Sequence, residues 1–136
     1  MTAFVDTSAL VAVLDADDEH HKAARDAWEF LLDRDALLVT TNYVVLETCA
    51  VLQRSCGIDA LRVFLLELLP VLSVAWVEEQ AHQAGIAALL AAARRKLSLV
   101  DCTSFEMMRQ RGITAAFAFD RHFAEYGFAC VTAPGS

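Results

Sequence analysis

Blocks of apolar and polar residues change period along this chain, and the period predicts the elements. Ala3 to Val5 is a short apolar run that halts at Asp6, the pattern of a first buried strand. Asp17 and Asp18 then open a helical pattern, with Ala23, Ala24, Ala27, Trp28 and Leu31 at helical spacing, predicting a helix to about Leu32. Leu37 to Thr40 reads as a second strand. Asn42 to about Arg54 predicts a helix that is apolar on nearly all sides and is expected to be buried. Gly57 parts it from a helix over Ile58 to about Leu69, which Pro70 stops. Leu72 to Trp76 predicts a third strand, and Val77 to about Arg94 an Ala-rich helix. Ser98-Leu99-Val100-Asp101 has the capping-box pattern and opens a helix to about Gln110, ended by Gly112. Ala115 to Phe119 is a strand stopping at Asp120. A helical turn through Phe123 and a last strand near Ala129 to Thr132 follow, with Ala133 to Ser136 as a loose tail.

Strands that alternate with helices predict an α/β fold with a mainly parallel central sheet covered by helices on both faces. Ligands of such sheets bind beyond the carboxyl ends of the strands. Asp6 and Asp120 both follow predicted strands, so both are expected on that edge. No linker or repeat interrupts the pattern, and 136 residues make one domain, 1–136, with a real core.

Composition narrows the class. Hydrophobic residues are 57% and charged residues 21%, which is globular. The four cysteines, Cys49, Cys56, Cys102 and Cys130, form no zinc-ligand spacing, and a reduced, cytoplasmic protein is the simplest reading. No basic n-region precedes an apolar run, so no secretory leader is expected. The apolar stretches are too short or too interrupted to span a bilayer, so no membrane association is expected. The net charge of −7 argues against a non-specific grip on nucleic acid. Setting four carboxylates aside as cation ligands leaves −3, and bound cations return positive charge where a phosphate would sit.

Those four carboxylates are Asp6, Glu47, Asp101 and Asp120. Each Asp has a structural reading beside the functional one. Asp6 and Asp120 stand where helix N-caps stand, and Asp101 is the acidic member of its capping box. Glu47 is harder to explain structurally, because Tyr43, Val44, Ala50 and Val51 surround it on its helix, with Arg54 as one alternative partner. Carboxylates gathered without basic partners repel one another, and a hard divalent cation relieves that repulsion. Two-cation sites of this kind hydrolyse phosphodiesters.

Four segments resemble the PIN domain. They are Phe4-Val5-Asp6-Thr7-Ser8-Ala9-Leu10, Glu47 on the helix after the second strand, Leu97-Ser98-Leu99-Val100-Asp101 before a helix, and Phe117-Ala118-Phe119-Asp120-Arg121-His122-Phe123. Length and element order are similar to the toxin nucleases of VapBC-type toxin–antitoxin pairs. The resemblance implies a PIN-like three-layer sandwich and an endoribonuclease dependent on Mg²⁺ or Mn²⁺, with one or two ions. By that resemblance Asp6, Glu47 and Asp101 hold metal, Asp120 completes the site directly or through water, and Thr7, Ser8 and Thr103 orient it. It also implies an RNA substrate, a cognate antitoxin protein and a homodimer.

Arg94-Arg95-Lys96 is the one dense basic run, readable as an RNA phosphate contact or as a solvated helix C-terminus. His20 and His21 read as a polar first turn, Trp28 and Trp76 as core or interface residues, and no aromatic platform for bases is evident. Two other functions compete. One is a partner-binding module with incidental catalysis, for which Ile58 to Trp76 is the candidate surface. The other is a phosphatase using Asp6 as nucleophile, which ordinarily needs a second Asp where Ser8 stands.

Overall fold

The computed structural model describes residues 1–135, so the expected tail at Ala133 to Ser136 ends outside the described residues. Five strands form one sheet in the order β3-β2-β1-β4-β5, and all four pairings are parallel. The strands are β1 (Thr2–Val5), β2 (Leu37–Thr41), β3 (Ser73–Ala75), β4 (Ala115–Phe117) and β5 (Ala129–Cys130). The helices are α1 (Thr7–Leu14), α2 (His21–Asp33), α3 (Asn42–Ser55), α4 (Ile58–Val63), α5 (Glu79–Ala92), α6 (Leu99–Gln110) and α7 (His122–Glu125). The central strand β1 is fully enclosed from Ala3 to Val5, as a strand covered on both faces must be. Phe4, Leu10, Leu31, Val44, Leu52, Phe64, Met108, Phe117 and Phe123 fill the core around it.

At two boundaries that depart from the periodic pattern, local hydrogen bonds explain the shift. The helix expected from Asp17 begins at His21, because Asp17 N donates to Asp15 Oδ1 and His20 N to Asp18 Oδ1. Such short side-chain bonds make turns that compete with helix. β4 ends at Phe117 and not at Phe119, because the next amides leave the ladder and donate to Ser8. The helix after Gly57 does not stay α-helical: a wider π turn spans Phe64–Leu68, with Leu69 N donating to Phe64 O, and a 3₁₀ turn carries Pro70.

One burial expectation is corrected. Helix α3 is not enclosed on all sides, since Leu46 is 72% exposed while Val44, Thr48 and Leu52 face the core. Trp28 packs against the core, but Trp76 is 67% exposed. No helix among the described residues is long and apolar enough to cross a membrane.

Candidate metal and nuclease site

The carboxyl ends of β1, β2 and β4 converge with the first turn of α6 on one open cleft of about 510 Å³, in the size range of ligand sites. Asp6, Glu47, Asp101 and Asp120 all line it. Chain positions more than a hundred residues apart are brought together by strand order, since β4 pairs directly with β1.

Asp6 follows the last residue of β1, and its backbone N–H continues the ladder to Phe117 O at 3.0 Å. It also caps α1, accepting from Ser8 N at 3.1 Å and Ser8 Oγ at 2.6 Å. Both bonds use Oδ2. The structural and functional roles are thus compatible, because the cap occupies one carboxylate oxygen. The side chain is 4% exposed. Burial pushes its pKa up to about 7, against the pull of the Ser8 bonds, and the charges of Asp101 and Glu47 push the same way.

Asp101 repeats the arrangement on α6. Its Oδ2 accepts from Ser98 N at 3.1 Å, while its own N–H donates to Ser98 Oγ at 3.0 Å, completing the capping box. Burial, and then the charge of Asp120, raises its pKa; the Ser98 bonds and His122 pull the other way. Glu47 is half-buried on the second turn of α3. Its pKa is raised by burial and by Asp101 and Asp120, and is opposed by a Thr7 hydrogen bond. Burial is the largest cause of all three shifts, and the like charges of the neighbouring acids add to it. Arg54 takes no part in the cleft.

Ser8 joins the two halves of the site. Its hydroxyl donates to Asp6 and accepts from Phe119 N at 2.9 Å and Asp120 N at 3.2 Å. Thr7 works on the other side. Its Oγ1 reaches Val44 O at 3.4 Å and accepts from Thr48 Oγ1 at 3.1 Å, tying α1 to the helix that carries Glu47. Thr103 is placed elsewhere: its hydroxyl donates to Leu99 O and Val100 O within its own helix, and it does not line the cleft. Of the basic run, only Lys96 lines the cleft. Arg94 is held 2.8 Å from Glu125, and Arg95 does not line the cleft.

Two residues of the site escape a reading by motif. His122, 6% exposed, stands between two acids, with Nδ1 3.0 Å from Asp120 Oδ1 and 3.5 Å from Asp101 Oδ2. Neither contact has the angles of a hydrogen bond, so Nδ1 is a buried donor or acceptor without a partner. The available signal was its position two residues after Asp120, where its backbone N–H closes on Asp120 Oδ1 at 2.9 Å. The other is His20, which lines the cleft instead of merely opening a surface helix.

The donor set suits a divalent cation. Ligand atoms of Asp101, Asp120 and His122 lie within 4.8 Å of one another, and the remaining carboxylates share the same cleft. The carboxylate oxygens suit Mg²⁺ or Mn²⁺, and the imidazole nitrogen suits the transition ion of the two. A buried nitrogen without a partner beside two carboxylates is the arrangement such an ion would complete.

The chain matches the PIN domain over residues 3–129. It is 35% identical over 126 residues to the 23S rRNA-specific endonuclease VapC20 of Mycobacterium tuberculosis, in strains CDC 1551 and H37Rv. The alignment covers 92% of this chain and 94% of each relative. The crystal structure of M. tuberculosis VapC20, described as a sarcin-ricin loop cleaving toxin, superposes with a TM-score of 0.86 at 33% identity. That match covers 97% of this chain and 99% of the other. With the all-parallel sheet and the four acids at its carboxyl edge, these matches show that the chain belongs to the PIN domain family.

Proposed function

We propose that this protein is a divalent-cation-dependent endoribonuclease and the toxin of a toxin–antitoxin pair. The observation that carries the reading is the convergence of Asp6, Glu47, Asp101 and Asp120 on one cleft with too few bases to balance them, the pKa values of Asp6, Glu47 and Asp101 being raised. Asp6, Glu47 and Asp101, with Asp120 and His122 beside them, would hold the ion. A bound Mg²⁺ or Mn²⁺ would activate a water and offset charge on the phosphate. The protein's own part is positioning. Ser8 fixes the angle of Asp6 and the Asp120 loop, Ser98 fixes Asp101, and Thr7 with Thr48 fixes the helix bearing Glu47. Lys96 at the cleft wall offers a phosphate contact. RNA is the substrate class, and 23S rRNA, for which the similar VapC20 proteins are named, is the first one to try.

The remaining proposals rest on the family. Residues 1–136 act as one nuclease unit in the cytoplasm, restrained by a cognate antitoxin protein. Homodimerisation is supported by the exposed apolar side chains Leu46, Leu66, Val71 and Trp76. An Asp6-nucleophile phosphatase is disfavoured, because Ser8 stands where that chemistry ordinarily needs a second Asp. The test is cleavage of single-stranded RNA and of intact ribosomes with Mn²⁺, Mg²⁺ or a chelator. The expected result is cleavage with either metal and none with chelator. Equal cleavage in the presence of chelator would overturn the cation-dependent reading.

A further inference from the structure

The cleft has a second wall that the acids do not account for. Beside the carboxylates it is lined by Val11, Val51, Phe119 and His20. His20 occupies the N-cap position of α2, where a short polar side chain ordinarily accepts a backbone N–H. Its imidazole makes no capping bond. It lies instead flat on Phe119, with ring centroids 4.6 Å apart and planes 12° from parallel. The stack is held from both sides. His20 N donates to Asp18 Oδ1 at 2.8 Å, and Glu19 Oε1 stands 3.3 Å from His20 Nε2. Phe119 N donates to Ser8 Oγ, the same hydroxyl that fixes Asp6. The His20 side chain is nevertheless 44% exposed, so the stack is still open to a ligand.

Chemistry and distance together define what fits. Phe119 and Asp120 are consecutive, with Cα atoms about 3.8 Å apart, so the apolar wall begins within one nucleotide of the cation-binding carboxylates. A phosphate alone has no use for a flat π surface, and an apolar ligand alone has no use for the acids. A nucleotide uses both, with Lys96 lining the same cleft for a flanking phosphate. Paired RNA hides its base faces in the helix stack, so the base that enters must be unpaired.

We infer that the His20–Phe119 stack, with Val11 and Val51, is a subsite for an unpaired nucleobase adjacent to the scissile phosphate. The inference rests on the ribonuclease function proposed above and adds a substrate-binding residue, His20, to the site.

The experiment uses the full chain and a single-stranded oligoribonucleotide whose cleavage position has been mapped with Mn²⁺. The flanking base is then replaced by 2-aminopurine or by an abasic site. His20→Ala is expected to raise KM about tenfold, the scale of one lost base stack, with kcat moving less than about twofold. It should also abolish the quenching of 2-aminopurine on binding. His20→Phe should restore both, and on the abasic oligonucleotide the wild type and His20→Ala should share one KM. Circular dichroism melts confirm that each variant folds. A wild-type KM for His20→Ala, the same rise on the abasic substrate, or a phenylalanine variant as weak as the alanine one would overturn the subsite. Should the wild type cleave nothing, the nuclease function fails, and the subsite is decided by quenching of 2-aminopurine placed at each position of the oligonucleotide in turn, with Ca²⁺ present. Quenching by wild type and His20→Phe but not by His20→Ala sustains it, and no quenching overturns it.

Discussion

The first two turns of α6 touch two regions built on opposite principles. Asp101 faces a cleft where like charges crowd and every pKa shift reports a penalty. Two residues later, Thr103 packs into the surface of α5 at Gly85, where an added Cβ would fall 2.5 Å from Thr103 Cγ2. Its hydroxyl is satisfied by carbonyls of its own helix, so the contact hides no unpaired polar group. The α5–α6 contact favours folding through close packing. The cleft opposes folding until a cation arrives. Placing both on one helix means the rigid contact holds the costly one in register.

That contrast predicts which variants trade activity for stability. The largest effect is expected from Asp6→Asn: cleavage falls at least about a thousandfold, on the order of 4 kcal/mol of transition-state stabilisation. The metal-free melting temperature rises, because a charge that burial disfavours is gone. Cleavage rates and melts of the same preparation check this; retained activity would remove Asp6 from the site.

The next effect is in pH and metal. Asp6 titrates near 7 in the fold against 3.8 in the open chain, and Glu47 and Asp101 are shifted the same way. A folded-state pKa above the unfolded one means the folded protein holds protons more tightly, so stability falls as pH rises between these values. The metal-free melting temperature should therefore drop from pH 5 to pH 8. Mn²⁺ or Mg²⁺ at about 100 times its dissociation constant should return roughly 2.7 kcal/mol at the upper end. The gain is smaller near pH 5, where protons compete for the ligands. Melts across a metal titration at both pH values test it, and an equal metal response at the two would refute the crowding argument.

Gly85→Ala probes the other region. Overpacking against Thr103 should cost about 1–3 kcal/mol in denaturant unfolding while the cleavage rate per folded molecule is kept. Adding Thr103→Ser removes Cγ2 and should recover most of the loss, a coupling that a double-mutant cycle reads directly. If Gly85→Ala unfolds no more easily than wild type, the close contact is not what holds α6.

The smallest effect is expected from Glu47→Gln. It removes one repelling charge from a half-buried position, so metal-free stability should rise by less than about 1 kcal/mol while the Mn²⁺-induced shift shrinks. An undiminished Mn²⁺ shift in thermal melts would place the ion away from Glu47.

Much of this was legible in the residues, for physical reasons. Period and length locate strands and helices, because burial on one face forces the repeat. The alternation of the two forces a parallel sheet, and the four acids stood out as a set because Glu47 on an apolar helix lacks an ordinary partner and the three Asp residues repel it and one another. Caps were legible too, and Asp6 and Asp101 are both caps and members of the site, since a carboxylate has two oxygens to share. What the chain alone left undecided depends on contacts between distant segments. The roles of Thr7 and Ser8 divided between Glu47 and Asp6 only when α1 packed on α3 and β4 lay beside β1. Thr103 faces Gly85 because of the rotation of α6, which no motif encodes. His20 and His122 read as a helix start and a helical turn. Only the closing of the α2 and α7 ends over the strand edge set one imidazole on Phe119 and the other between Asp101 and Asp120. Local sequence determines local conformation and the faces to be buried, whereas the site is a meeting of four segments whose distances are set by the packing of the whole chain.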